Sequence, residues 1–169
     1  MASGDPVVQI LKVMPPGSDT ALLDVRVGGS TPPESVLVYD FPDDASVYMD
    51  FLAKLEGYDG GGLTFTVVWS ATTATEGDVR WELAIRRMND DAEDIDDAHA
   101  YAYNGVTDTA PDVSGEVSYC TIAFTDGADM DNWADGEVAI IRIYRDHDHV
   151  DDDMAGYAEL WYPPLGLET

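Results

Sequence analysis

The chain has 169 residues, 34 of them acidic and 8 basic, for a net charge of −26. Hydrophobic residues make up 45% and aromatics 10%, which excludes a disordered acidic tail and supplies enough apolar material for one domain with a core. With so few Lys and Arg, binding to a nucleic-acid backbone or to an anionic membrane surface is disfavoured, because both rest on cationic side chains.

A charge of −26 destabilises a compact state by self-repulsion. Screening shortens from about 8 Å at physiological ionic strength to about 3 Å at about 1 M salt. The composition therefore predicts a protein of a high-salt setting; an ordinary acidic protein, or one that binds cations, is the other reading. The single cysteine, Cys120, sits in an apolar stretch. It can form no internal disulfide and reads as a buried small hydrophobe rather than a nucleophile. Met1 to Pro6 has no basic residue and no long apolar run, so it is not read as a secretory signal. No stretch reaches the roughly 20 apolar residues of a membrane span.

In chain order, Val7 to Val13 is a short apolar run closed by Met14-Pro15-Pro16-Gly17, and Ala21 to Val27 is another, closed by a Gly-Gly-Ser-Thr-Pro-Pro cluster. Residues 1–33 are predicted to be either an extended arm that reaches a neighbour, or the first strands plus a linker. From Val36 the period is two, as a half-buried strand requires. Val36 to Phe41 ends at Pro42-Asp43-Asp44, and Val47 to Leu52 follows. Leu63, Phe65, Val67 and Trp69 alternate with Thr64, Thr66, Val68 and Ser70. Val79, Trp81, Leu83 and Ile85 alternate with Arg80, Glu82, Ala84 and Arg86. An acidic loop, Asn89 to Asp97, precedes a short strand expected near His99 to Tyr103. Val117 to Phe124 and Val138 to Tyr144 carry apolar residues on both faces and read as central strands. Ala155 to Tyr162 is expected to be the last strand, stopped by Pro163-Pro164. No segment carries a helical stripe. Many short strands with Gly, Pro and Asp turns predict an all-β, antiparallel two-sheet β-sandwich with an extended N-terminal region, its main body over residues 34–169. Trp69 and Trp81 fall on inward positions of consecutive strands and are expected to fill the space between the sheets.

The stretch Trp69-Ser70-Ala71-Thr72-Thr73-Ala74-Thr75-Glu76-Gly77-Asp78-Val79-Arg80-Trp81, preceded by Val38-Tyr39-Asp40-Phe41 and followed by Ile141-Arg142-Ile143-Tyr144-Arg145-Asp146, resembles a jelly-roll-like β-sandwich module of structural proteins of tailed viruses. The resemblance covers roughly residues 36 to 162 and rests on strand and turn residues, not on a catalytic signature. It implies a jelly-roll fold and a virion setting, with residues 1–33 outside it.

Several segments invite a chemical role. In Asp146-His147-Asp148-His149-Val150-Asp151, alternate residues of an extended segment would share a side and could bind a metal; a solvated acidic loop is the plainer reading. Hard oxygen ligands there favour Ca²⁺, Mg²⁺ or Na⁺ over Zn²⁺. Asp129, Asp131 and Asp135 faintly resemble a calcium loop, but Trp133 sits where an oxygen ligand should be and no Glu closes it. No nucleophile elbow or phosphate loop appears, and carboxylate pairs are too common here to mean a hydrolase. The chain is therefore read as no enzyme and as needing no cofactor. Val8, Ile10, Leu11, Trp133, Trp161 and Tyr162 are candidate interface residues, with Tyr101 and Tyr103 adding aromatic area near strand ends.

The resemblance, together with the acidic composition, thus implies a non-catalytic virion protein of a haloarchaeal tailed virus, made in the host cytoplasm and carried on the particle surface. A capsid decoration or turret protein is favoured. Its partners would be the major capsid protein or neighbouring decoration subunits, and its state a trimer or pentamer. A tail or host-recognition component is one alternative. A secreted carbohydrate-binding module, using Trp133 and the tyrosines as a sugar platform, is the other.

Overall fold

The computed structural model describes residues 7–29 and 31–169; Met1 to Pro6 and Ser30 lie outside the described residues. Among the described residues eleven strands and one short 3-10 turn follow each other: β1 (Val8–Met14), β2 (Leu22–Gly28), β3 (Glu34–Phe41), β4 (Tyr48–Leu55), β5 (Leu63–Ala71), β6 (Asp78–Met88), β7 (Tyr103–Thr109), β8 (Val117–Phe124), the turn Ala128–Met130, β9 (Val138–Arg145), β10 (Ala158–Leu160) and β11 (Leu165–Glu168). One sheet has the order β1-β4-β9-β6-β7. The other runs β11-β5-β10-β3-β2, with β8 on the far side of β5. Pairing between these strands is antiparallel throughout. The protein is an all-β, two-sheet sandwich of jelly-roll type, and consecutive strands repeatedly cross from one sheet to the other.

The inner faces follow the alternation in the sequence. Phe65, Val67 and Trp69 of β5 meet Val79, Trp81, Leu83 and Ile85 of β6, with Phe51 and Ile141 among the further core residues. Trp69 and Trp81 are fully buried, their rings 6.1 Å apart, and Phe41 meets Trp81 edge-on at 5.2 Å. The Trp69 indole N–H donates to Asp108 Oδ2 at 2.8 Å, and the Ser118 hydroxyl donates to the same oxygen at 2.7 Å. Asp108 on β7 thereby ties the edges of the two sheets together. Cys120 is buried as expected, and burial, with Asp108 beside it, pushes its thiol up to about 12.

Two boundaries differ from the sequence reading. The strand expected at His99 to Tyr103 begins only at Tyr103 and runs to Thr109. The expected last strand shrinks to Ala158–Leu160, and β11 lies beyond the two prolines, paired with the first half of β5. The two apolar runs of the N-terminal region are edge strands, β1 against β4 and β2 against β3.

Candidate functional site

Residues of β4, β9 and β6 that alternate with core positions form the outer face of the five-stranded sheet. Register places them in rows: Tyr48, Tyr144, Glu82 and Gly105; then Asp50, Arg142, Ala84 and Tyr103; then Lys12, Leu52, Ile140 and Arg86. Arg142 grips Asp50 with two parallel bonds, Nε to Oδ1 and Nη2 to Oδ2, both 2.8 Å. This fork-on-fork pairing is geometrically specific and fixes both groups. It also raises the Arg142 pKa, with Asp50 the main cause.

Aromatic rings surround that pair. The Arg142 guanidinium lies 5.2 Å from the centre of Tyr48 and 4.7 Å from that of Tyr101. Centroid distances link His99 to Tyr101 (4.9 Å), Tyr101 to Tyr103 (5.9 Å), Tyr103 to Tyr144 (5.0 Å) and Tyr144 to Tyr48 (5.1 Å). The result is a continuous ribbon of five half-buried rings. Burial pushes the Tyr103 hydroxyl up to about 12 and also raises those of Tyr101 and Tyr144, so all three are neutral donors at ordinary pH.

One end of the ribbon opens into a groove of about 410 Å³ between Tyr48, Tyr103, Arg142 and the turn Pro16–Asp19. That turn is pinned by Tyr48 N–H to the Asp19 carbonyl (2.7 Å) and Ala21 N–H to the Tyr48 carbonyl (3.0 Å). Beside the ribbon, Arg80 Nε donates to Glu82 Oε1 at 2.7 Å. Gly105 leaves room for this pair, because a Cβ there would collide with both side chains. Arg86 donates to the carbonyls of Asp94 (2.6 Å) and Asp97 (3.2 Å), so the acidic loop is held down through its backbone while its carboxylates stay in solvent. Lys12, Lys54, Arg80, Arg86 and Arg142 all stand on this face, five of the chain's 8 cations.

The metal candidates fare differently. The segment holding Asp146, His147, Asp148, His149 and Asp151 is a succession of turns rather than an extended strand, so its side chains do not alternate as expected. His147 accompanies Ser46 (3.3 Å), and the Asp151 N–H donates to His149 Nδ1 (3.1 Å). Asp129, Asp131 and Asp135 are each committed to a separate task. Asp129 accepts from the Thr125 N–H and hydroxyl, Asp131 from the Arg87 N–H, and Asp135 from the Tyr58 N–H. Among the described residues no three ligating side chains converge on a metal-sized site.

Among the interface candidates, Val8 and Trp133 require correction. Both are buried, Val8 in the core and Trp133 with its indole N–H on the Glu137 carbonyl at 3.0 Å, so neither is open to a partner. This also removes Trp133 as a sugar platform. Ile10 is packed partly against the core, and Leu11 is exposed. Trp161 is half-buried on the outer face of the other sheet, its N–H on the Ser70 hydroxyl at 2.9 Å, and Tyr162 is exposed nearby in sequence. Tyr101 and Tyr103 belong to the ring ribbon. Sequence reasoning missed Tyr48, Asp50, Arg142 and Tyr144; the available signal was Tyr, Asp and Arg recurring at outward positions of alternating strands.

No protein-family model matches the chain, and no curated protein does. Among solved structures the chain is similar to the family 11 carbohydrate-binding module from Clostridium thermocellum, in complex with a beta-1,3-1,4-mixed-linked tetrasaccharide. The identity is 13% and the TM-score 0.42, over 99% of this chain and 96% of that one. A likeness at that level carries no weight for function, and none of these comparisons supports a viral origin.

Proposed function

We propose that the chain is a non-catalytic glycan-binding module whose recognition face is the outer surface of the five-stranded sheet. The observation that carries this reading is the ribbon of five rings around the Asp50–Arg142 pair. A sugar ring has apolar C–H faces and a rim of hydroxyls. Tyrosine rings stack on the faces, and fixed polar groups at their edges hydrogen-bond the rim. The rings here are wedged against each other and against Arg142, so little side-chain freedom is lost when a ligand docks. Asp50 and Glu82 are each committed to an arginine, which suits orienting hydroxyls better than proton transfer.

The test is a glycan array followed by isothermal titration calorimetry on the hits. A dissociation constant of millimolar or tighter is expected. Tyr101→Ala should weaken it about tenfold, the equivalent of about 1.4 kcal/mol for one lost stacking contact. Tyr119→Ala, an exposed ring on the opposite sheet, should leave affinity unchanged. Binding of no glycan, or equal losses in both variants, would overturn the proposal.

A further inference from the structure

The six-stranded sheet carries a groove of its own on its outer side, away from the ring ribbon. It encloses about 580 Å³, and Arg26, Gly28, Glu34, Val36, Gly115 and Trp161 are among its walls. Register sets Arg26 beside Val36 and Gly28 beside Glu34, so these four stand on one side of the β2–β3 hairpin. The volume falls within the range of small-ligand sites, about 300–1,000 Å³.

A buried relay holds the two largest side chains of this groove in place. Trp161 donates its indole N–H to the Ser70 hydroxyl at 2.9 Å, and Ser70 donates to Glu159 Oε2 at 2.8 Å. The same carboxylate oxygen accepts from Arg26 Nη1, which also reaches the Ala71 carbonyl at 3.3 Å. Ser70 and Glu159 are buried, so the indole and the guanidinium are both fixed from beneath. With its N–H committed, Trp161 has only carbon surface to offer a ligand. Val36 adds a second apolar wall. Arg26 Nε and Nη2 make no hydrogen bond among the described residues and remain as donors. Gly115 makes room for that guanidinium, because a Cβ there would collide with it.

We propose that this groove is a second sugar site, back to back with the ring ribbon, that takes one uncharged pyranose ring. Trp161 and Val36 would receive the C–H face. Arg26 would donate to hydroxyls at the rim, and the Glu34 carboxylate would accept from them. Charge disfavours an ionic ligand of either sign, since Glu34 and Glu159 repel an anion and Arg26 repels a cation. The arrangement repeats the one on the other sheet: aromatic carbon beside an arginine locked by a carboxylate, Arg26–Glu159 here and Arg142–Asp50 there. The class of ligand rests on the glycan-binding reading; the place of the site does not. Two sites facing opposite ways let one chain bridge two glycan strands, and binding to a polymer gains avidity from this.

The experiment is two-dimensional N–H NMR of the full chain titrated with cellotetraose, xylotetraose and mannotetraose. Trp69, Trp81 and Trp133 are buried, so the indole N–H signal of the half-buried Trp161 reports on the groove. That signal should shift with at least one of the three sugars, as should the backbone amides of Tyr101 and Arg142. At Gly28 a Cβ meets nothing and the backbone is not left-handed. Gly28→Gln therefore fills the groove without touching the relay. It should abolish the Trp161 shift and leave the shifts at the ribbon, and Tyr101→Ala should do the converse. Shifts at the ribbon alone, or a Trp161 shift that survives Gly28→Gln, would overturn the second site and leave the glycan reading standing. A shift at Trp161 alone, lost in Gly28→Gln, would support the second site and remove the ribbon as a binding face. No shift at either place would sink both.

Discussion

Replacing Asp152 by Asn tests whether the loop between β9 and β10 is fastened by a buried charge. The Arg145 and Asp152 side chains are 1% and 2% exposed. Arg145 Nε lies 3.1 and 2.9 Å from the two carboxylate oxygens, and Nη2 lies 2.6 Å from Oδ1. The remaining guanidinium N–H groups donate to the carbonyls of Met154 and Gly156, and the Arg80 N–H donates to Asp152 Oδ2 at 2.8 Å. Asn keeps the volume and one acceptor but leaves a buried cation with no anion. Breaking a buried pair in this way costs about 3–5 kcal/mol. Against a total stability of about 5–15 kcal/mol, that is roughly a fifth or more. Urea unfolding, followed by emission from the buried Trp69 and Trp81, should show the midpoint falling by about 2 M with little change in slope. The double variant Asp152→Leu with Arg145→Met removes both charges and should lose less than Asp152→Asn alone. A midpoint shift under about 0.5 M for Asp152→Asn would refute the reasoning, since it would put the pair on the scale of a solvent-exposed bridge.

Asp40 gives a pH signature. Burial, then the neighbouring carboxylates of Asp24 and Glu159, push its carboxyl from 3.8 up to about 6. Between those values the folded chain holds a proton that the unfolded chain releases, so this group's contribution to stability falls as pH rises through the window. Asp40→Asn should therefore gain about 1 kcal/mol at about pH 7, a figure already discounted for solvent screening, and nothing at about pH 4. Urea melts at the two pH values check this, and equal effects at both would contradict it. The charge of −26 predicts a melting temperature that climbs steeply between about 0.2 M and about 3 M KCl. Thermal unfolding followed by tryptophan emission measures it, and a flat response would remove the high-salt reading.

What the sequence disclosed was local. Alternation in Leu63 to Ser70 and Val79 to Arg86 marked strands and set Trp69 and Trp81 inward, as found. Where pairing decides the structure, local pattern misled. Tyr103–Thr109 contains Asn, Gly and Asp, poor strand formers, yet it is a strand because β6 offers it a partner along seven residues. The aromatic His99 to Tyr101 segment looks more strand-like but instead feeds the ring ribbon. Two prolines concealed β11, because a stop signal says nothing of a strand after it. The site was half legible. Tyr101 and Tyr103 stood out as aromatic area, whereas Asp50 and Arg142 are 92 residues apart and meet only because β4 and β9 lie side by side. That adjacency between distant strands is written in no window of the sequence.

The gathering of cations on one sheet makes the molecule electrically lopsided. With five of 8 basic side chains on the ring-bearing face, only Arg26, Arg87 and Arg145 remain for everything else, and Arg145 is buried. Most of the acids lie in the loops, among them the run that Arg86 fastens beside this face. Around the rings cations and acids are therefore interleaved, since Arg142 pairs with Asp50, Arg80 with Glu82 and Arg86 holds the acidic loop, whereas the rest of the surface carries its acids with few cations beside them.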